Sequence, residues 1–243
     1  MSKSKIKWTE STWNPATGCT KYSAGCKNCY AERLAKRLRA MGQSKYANGF
    51  EVTVHPECLD EPRGWTKPKL IFVCSMADLF HNDVPDEFIK AVFAVMAETP
   101  QHTYQVLTKR SDRLAALASE LPFTPNIWVG VTVENNDYVY RTDHLREAPA
   151  AVRFISAEPL LGPLPDLDLT GIDQLIVGGE SGQGWRPMDP DRVRELRDRC
   201  VDERVAFFFK QYPGYQPKKL GRELDGVVWD QMPRELRASE EVA

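Results

Sequence analysis

Short apolar runs of strand length alternate with amphipathic helical stretches along almost the whole chain of 243 residues. No other feature limits the possible folds as strongly. The runs fall at 5–8, 70–74, 103–107, 127–133, 152–156, 174–177 and 205–209. Most are apolar throughout, as strands covered on both faces require. Between them, 30–41 repeats Leu34 and Leu38 at i, i+4, and 86–98 sets Phe88, Val92, Val95 and Met96 on one side. Shorter helical patterns occupy 111–119 and 138–147, and 191–202 carries an inner stripe of Val193, Leu196 and Cys200. Seven strands and five helices in alternation predict a parallel α/β fold. Two designs satisfy it: an open doubly wound sheet, or a full or partial (β/α) barrel. Two connections are irregular. The segment near 48–69 reads as an insertion, and 158–172 takes the place of a crossover helix. The tail after Gly214 has little pattern beyond a short helix over 229–236.

Parallel strands deliver their C-terminal ends to one face, where ligands bind. In this chain every such end is polar. Ser75, Asp78 and His81 follow the second run, Lys109 and Arg110 the third, and Glu134, Asn135 and Asn136 the fourth. Glu158 follows the fifth, Gly178, Gly179, Glu180 and Ser181 the sixth, and Lys210 the seventh. Helix capping explains Ser111 and either Asn135 or Asp137. It does not explain Lys109, Glu134, Glu158, Glu180 or Lys210, which become candidate site residues.

The first strand end carries Cys19, Cys26 and Cys29, spaced C-x6-C-x2-C and followed at once by a helical pattern. Thiolates so close together are metal ligands in a chain with no apolar leader, which is expected to be cytoplasmic. One reading is a closed zinc site completed by His55 or Cys58, in a nucleic-acid-binding module without catalysis. The other is a [4Fe–4S] cluster held by three thiolates, one iron being left open for a ligand. Placement after the first strand of an α/β chain, where a cofactor belongs, favours the second. His81 and His102 are read as loop or core-edge histidines, and Cys74 as a small buried hydrophobe.

With these residues in place, the chain resembles the radical S-adenosylmethionine (SAM) superfamily, whose three-cysteine loop follows the first strand of a partial (β/α)6 barrel. The first gap here is six residues rather than the common three. More narrowly, it is similar to a phage- and bacteria-associated three-Cys-motif family. That likeness rests on Trp13-Asn14-Pro15, Gly18-Cys19, Gly25 to Ala31, Asp78-Leu79-Phe80, Leu107 to Arg110, Trp128 to Val131, Glu158 to Leu161, Gly178 to Gly182 and Phe209-Lys210-Gln211. A more distant likeness to DNA photoproduct lyases rests on the cysteine loop followed by Tyr30-Ala31.

The resemblance implies a partial barrel over residues 1–215 with an extension at 216–243, a single [4Fe–4S] cluster on Cys19, Cys26 and Cys29, and SAM as second cofactor. It also implies an electron donor such as flavodoxin or ferredoxin, and cleavage of SAM to a 5′-deoxyadenosyl radical. Ser75 and Asp78 would then hold the methionine amino group, Lys109 its carboxylate, and Glu134 and Asn135 the ribose. Glu158, Gly178 and Gly179 would complete the SAM site, leaving Glu180, Arg186 and Lys210 for the substrate. Residues 1–45 hold ten Lys and Arg against only Glu10 and Glu32, in a chain of net charge −2. This basic segment suits an anionic substrate, a nucleotide or nucleic acid, or is a solvated helix face. The apolar runs are too short for a membrane span.

Overall fold

The structure, a computed structural model, describes Ser4 and residues 6–233. Its centre is one sheet of seven parallel strands: β1 (Ser11–Trp13), β2 (Leu70–Val73), β3 (Thr103–Thr108), β4 (Ile127–Thr132), β5 (Val152–Ala157), β6 (Gln174–Gly178) and β7 (Ala206–Gln211). They pair in strict chain order, β1 to β7, without reversal. Right-handed crossovers between successive neighbours place every helix on the same side. The sheet therefore curls into a half-barrel rather than opening as a doubly wound sheet. This decides between the two designs in favour of the partial barrel.

Five helices form the outer layer: α1 (Tyr30–Ala40), α2 (Asp86–Glu98), α3 (Ser111–Leu117), α4 (Arg141–Glu147) and α5 (Pro190–Glu203). All five coincide with the periodic stretches. Alternate strand residues such as Ile71, Val73, Val129, Val131, Leu175, Val177, Phe207 and Phe209 join the stripes of α2 to α5 in one continuous core, whereas α1 packs Ala31 and Ala35 in a separate small cluster with Met76 and leaves Leu34 exposed. The other set points inward. Strand register lines up Phe72, Gln105, Trp128 and Val152 in one row, and Thr132, Ser156, Ile176 and Phe208 in another. The apolar members of these rows cluster with Trp8 and Phe154, which fills the barrel as layered side chains fill closed ones.

Two expected elements differ. Residues 6–8 are not a strand, and β1 begins only at Ser11. Trp8 instead plugs the barrel, its ring 4.7 Å from Phe72 and 6.2 Å from Phe154. The apolar content of that run was real, but it serves a plug rather than a ladder. The tail likewise forms no helix over the described part of 229–236, and residues 234–236 lie outside the described residues. Trp229 and Gln231 instead pair with β7 in the opposite sense, through Phe209 N to Trp229 O (2.9 Å) and Gln231 N to Phe207 O (3.2 Å). An edge strand with unpaired donors and acceptors is a better partner than solvent for this segment.

The insertion runs through two short 3-10 turns, and its Thr53–Val54 pairs with Ala16–Thr17. Residues 158–173 cross from β5 to β6 without a helix. Among the described residues no helix is long and apolar enough to cross a membrane.

Phe154 is fully buried at the centre of the inner cluster. Truncation to alanine should cost about 3–5 kcal/mol in urea-induced unfolding. A loss below about 1 kcal/mol would mean that the inner rows do not hold the barrel together.

Candidate functional site

A cavity of about 240 Å³ opens at the C-terminal ends of the strands. Cys19, Cys26 and Cys29 line one side; Ser75, Asp78, Lys109, Glu158, Gly179, Glu180 and Lys210 line the rest. Its floor is apolar and includes Trp8, Phe72 and Leu107. Residues drawn from six different strand ends thus meet on one face. Glu134, Asn135 and Gly178 stand behind the wall instead.

Contacts from the other loops fasten the cysteine loop from all sides. Gly18 opens it at φ +84°, and a Cβ there would lie 2.1 Å from the Glu51 carbonyl oxygen, so only glycine fits. Thr20 Oγ1 lies 2.8 Å from His81 Nε2, and Arg110 donates to Thr20 Oγ1 (3.1 Å) and to Cys19 Sγ (3.5 Å). Ser23 donates to Glu134 Oε1, and Ala24 N to the Tyr138 hydroxyl (3.2 Å). Asn28 Nδ2 donates to Glu180 Oε2 (2.9 Å) and to the Gly184 carbonyl (2.8 Å). Arg33 donates to the carbonyls of Ser181 (2.9 Å) and Gln183 (3.0 Å). Cys29 stands at the N-terminus of α1, and the next residue, Tyr30, donates to the Ser75 carbonyl.

Several predicted residues turn out to be committed to this scaffold. Asp78 spends its oxygens on Thr108 Oγ1 (2.7 Å), the amides of Phe80 (3.0 Å) and Lys109 (3.1 Å), and Arg110 Nη1 (3.2 Å). It fixes the loop after β3 and sets Arg110 against Cys19. Glu134 is fully buried, with Oε2 2.9 Å from Arg141 Nη1 and Oε1 3.6 Å from Lys109 Nζ. A Cβ on Gly25 would meet Glu134 Oε1 at 2.5 Å, so the loop lies directly on this carboxylate. Asn135 donates to Asp137 (2.9 Å) and does not line the cavity, and the Gly178 carbonyl accepts from Leu160 N (3.0 Å). A polar residue after a strand can face the cavity or the packing behind it, and the sequence period does not separate the two.

Among the residues that remain open to the cavity, Lys109 is partly exposed, and Lys210 pairs with Glu158 Oε1 at 2.9 Å. Glu158 Oε2 also accepts from Trp8 Nε1 and Ser156 Oγ, both at 3.2 Å. Glu180 is clasped by Arg186 at 2.7 and 3.1 Å. Burial pushes the Glu180 carboxyl up, but the bonds from Arg186 and Asn28 outweigh it and hold the group below the usual range. Burial, reinforced by Asp78 and opposed by Arg110, pushes the Cys19 thiol up to about 11. Without a metal, Cys19 is therefore a neutral thiol.

Four contributors carried no assigned role in the sequence: Arg110, Asn28, His81 and Trp8. Asn28 sits between two candidate ligands and Arg110 beside Lys109, which was the only signal available. His55 and Cys58 take no part. His55 Nε2 is 2.8 Å from Thr17 Oγ1, and Cys58 Sγ accepts from Lys45 Nζ (3.1 Å). Neither lines the cavity with the three cysteines. Among the described residues, no group of three or more His, Cys, Asp and Glu side chains is arranged to hold a single metal ion.

The fold and this face define an α/β half-barrel with a three-cysteine loop at its ligand-binding end. The chain belongs to the family described as "Protein of unknown function (DUF5131)", whose model matches residues 3–233. No curated protein matches the sequence significantly. Solved structures of spore photoproduct lyase share the fold. One is a tyrosine-to-phenylalanine mutant, with TM-score 0.50 and 11% identity. Another is a double mutant with bound AdoMet and dinucleoside spore photoproduct, with TM-score 0.50 and 15% identity. Each alignment covers 82% of this chain but 62% of the lyase chain, so this chain spans under two thirds of their length.

Two outcomes test the scaffold. Glu134→Ala leaves Arg141 buried without a counter-charge and should cost about 3–5 kcal/mol in denaturant unfolding. A cost below about 1 kcal/mol would show that the pair does not support the loop. Because the Glu180 carboxyl titrates lower folded than unfolded, its contribution is full above the ordinary Glu value of about 4.3 and is lost as pH falls below it. Glu180→Gln should therefore flatten the acid limb of the stability profile. An unchanged slope there would remove Glu180 from the account.

Proposed function

We propose that this protein is a radical SAM-type enzyme, with a four-iron cluster on Cys19, Cys26 and Cys29 and SAM in the cavity beside it. The observation that carries the reading is the convergence of the loop's three half-buried thiols on one wall of a cavity otherwise lined by acids, Lys and Arg side chains and apolar groups, the buried Cys74 among them. A single ion would need these sulfurs around one point, whereas a cluster takes each thiolate on its own iron and spreads them around a larger body. The fold shared with a lyase structure holding AdoMet supports the same reading.

Such a centre supplies one-electron cleavage of a sulfonium. The chain's own groups do the positioning. Glu134 holds the partly exposed Lys109 ammonium toward the cavity, where it suits the carboxylate of an amino acid. Ser75 Oγ, bonded to Asn14 Oδ1 at 3.1 Å, offers an acceptor to an amino group. Asp78 acts behind them, by holding Arg110 against Cys19. Glu158 and Lys210, paired over the Trp8 indole, form the polar end left for the substrate, with Glu180 opposite. Trp8, Phe72 and Leu107 exclude water from the floor. The shared fold of a structure holding a dinucleoside photoproduct, together with the basic N-terminal segment, favours a nucleotide-like or nucleic-acid substrate. Residues 1–215 form the catalytic unit in this reading, and 216–243 an extension from it.

Anaerobic reconstitution with iron and sulfide should give a brown protein whose visible absorption shifts with SAM, and which forms 5′-deoxyadenosine under dithionite. Cys29→Ala should hold no stable cluster, and Lys109→Met should weaken SAM binding by about 10–100-fold. A colourless protein that binds one zinc and ignores SAM would sink the proposal.

A further inference from the structure

Two loops border the strand-end cavity beside the cysteines. One follows β6 and includes residues 181–188; the other follows β7 and includes residues 212–222. They are tied to each other, Gly182 N donating to the Gly214 carbonyl at 2.9 Å and Gly214 N to the Glu180 carbonyl at 3.0 Å. The first is also tied to the cysteine loop, by Asn28 Nδ2 to the Gly184 carbonyl (2.8 Å) and Arg186 Nη2 to the Ala24 carbonyl (3.0 Å). Asn28, Glu180, Ser181 and Gln211 line the cavity, so the three loops make one stretch of its rim. Trp185 follows Gly184 and Tyr215 follows Gly214, exposed at 43% and 68%. Among the described residues neither ring has a ring partner, and neither the Trp185 indole N–H nor the Tyr215 hydroxyl has a hydrogen bond. A single exposed aromatic is ordinary surface, but here two that the packing does not use stand on one rim.

The charge of this rim is equally one-sided. Residues 11–31, 181–188 and 212–222 contain no Asp or Glu. The acids that line the cavity are each matched by a cation: Asp78 by Arg110 at 3.2 Å, Glu158 by Lys210 at 2.9 Å and Glu180 by Arg186 at 2.7 Å. Behind the wall, Glu134 faces both Arg141 and Lys109. Glu32, just past the cysteine loop, is paired with Lys36 at 2.6 Å. Lys27 and Lys219 are exposed, and Arg33 donates only to carbonyls, those of Asn28, Ser181 and Gln183. Among the described residues none of these three cations has a carboxylate partner. The rim is therefore left positive, on a chain whose net charge is −2.

We infer that this rim binds a single-stranded nucleic acid, with one nucleotide in the cavity and its neighbours along the strand stacked on Trp185 and Tyr215. The inference deepens the substrate reading above and rests on it. Every base has a π-face, so an exposed aromatic ring accepts any base as a stacking partner. Lys27, Arg33 and Lys219 meet the phosphates of the strand. A paired duplex keeps its bases stacked on one another and offers these rings no face, so the strand is open where it crosses the rim. A free nucleotide in the cavity would leave both rings in water. An acidic protein would answer the charge, but a rim that continues the cavity wall suits a ligand that enters the cavity and runs on past it, as a strand does.

Fluorescence anisotropy on the anaerobically reconstituted protein tests the rim, with iron counted in every sample. The probes are labelled single strands of mixed sequence, one DNA and one RNA, each of roughly ten nucleotides, and the matching DNA duplex. Wild type should bind at least one single strand more tightly than the duplex, with an affinity that falls as salt rises. The tighter of the two strands identifies the sugar. Trp185→Ala and Tyr215→Ala should each weaken binding by about 5–150-fold, and Trp185→Phe, which keeps a flat face, should recover most of the loss. Lys219→Glu should weaken binding and make it less sensitive to salt. Unchanged strand affinity in both alanine variants would overturn the rim. So would a duplex bound as tightly as the single strands, or an iron-loaded wild type that binds neither strand; in each case the cluster reading stands. An iron-free wild type that still binds the strand through Trp185 and Tyr215 would overturn the cluster reading alone.

Discussion

When the strands of a parallel sheet follow one another in chain order, every right-handed crossover lands on the same side. Here that rule holds for all seven strands, and most of the architecture follows from it. One face is covered by five helices and the other is left to curl around its own side chains. Phe72, Trp128, Phe154, Ile176 and Phe208 fill that inner face, and Trp8 enters from outside the sheet to complete it. Because the filling stops short of the strand ends, a cavity remains above it. The polar residues after each strand converge there for topological reasons, before any chemistry is considered.

The cysteine loop is the part of this face with the least secondary structure and the most tethers. Arg110, Glu134, Glu180, His81 and Tyr138 each hold one point of it, and Arg33 donates to the Asn28 carbonyl at 3.2 Å. A loop bearing metal ligands gains from being fixed before the metal arrives, since binding then costs less ordering. The buried Glu134–Arg141 pair is the deepest of these tethers. Its charges are affordable only because Thr132 O, Ser23 and Lys109 also engage them and Tyr138 lies 4.2 Å from the guanidinium.

Much of the fold was legible because its elements are periodic. The stretch 86–98 became α2 with the same bounds, and six of the seven apolar runs became strands to within a residue or two. The failures share a cause. Residues 6–8 and 229–233 have strand-like or helix-like local content, but their conformation is set by long-range partners: the barrel interior for Trp8 and the open edge of β7 for Trp229 and Gln231. In the site, Lys109, Glu158, Glu180 and Lys210 reached the cavity as expected, whereas Glu134, Asn135 and Gly178 lie behind its wall. Position after a strand is visible in a sequence; the direction a side chain takes from a turn is not.

The sequence by itself determined six of the seven strands and their alternation with helices, the polar strand ends and the grouping of the three cysteines, since each depends only on local period and spacing. Only the tertiary structure decided that the sheet is a half-barrel, that Asp78 is paired with Arg110 and Glu134 with Arg141, and that His55 and Cys58 do not line the cavity of the three cysteines. It alone revealed that the loop separates the strand-end cavity from a second, outer one lined by Lys21 and Arg39 together with Glu32, Glu51 and Asp83. Each of these depends on which distant groups satisfy a buried charge or an unpaired edge, a contest settled by three-dimensional packing.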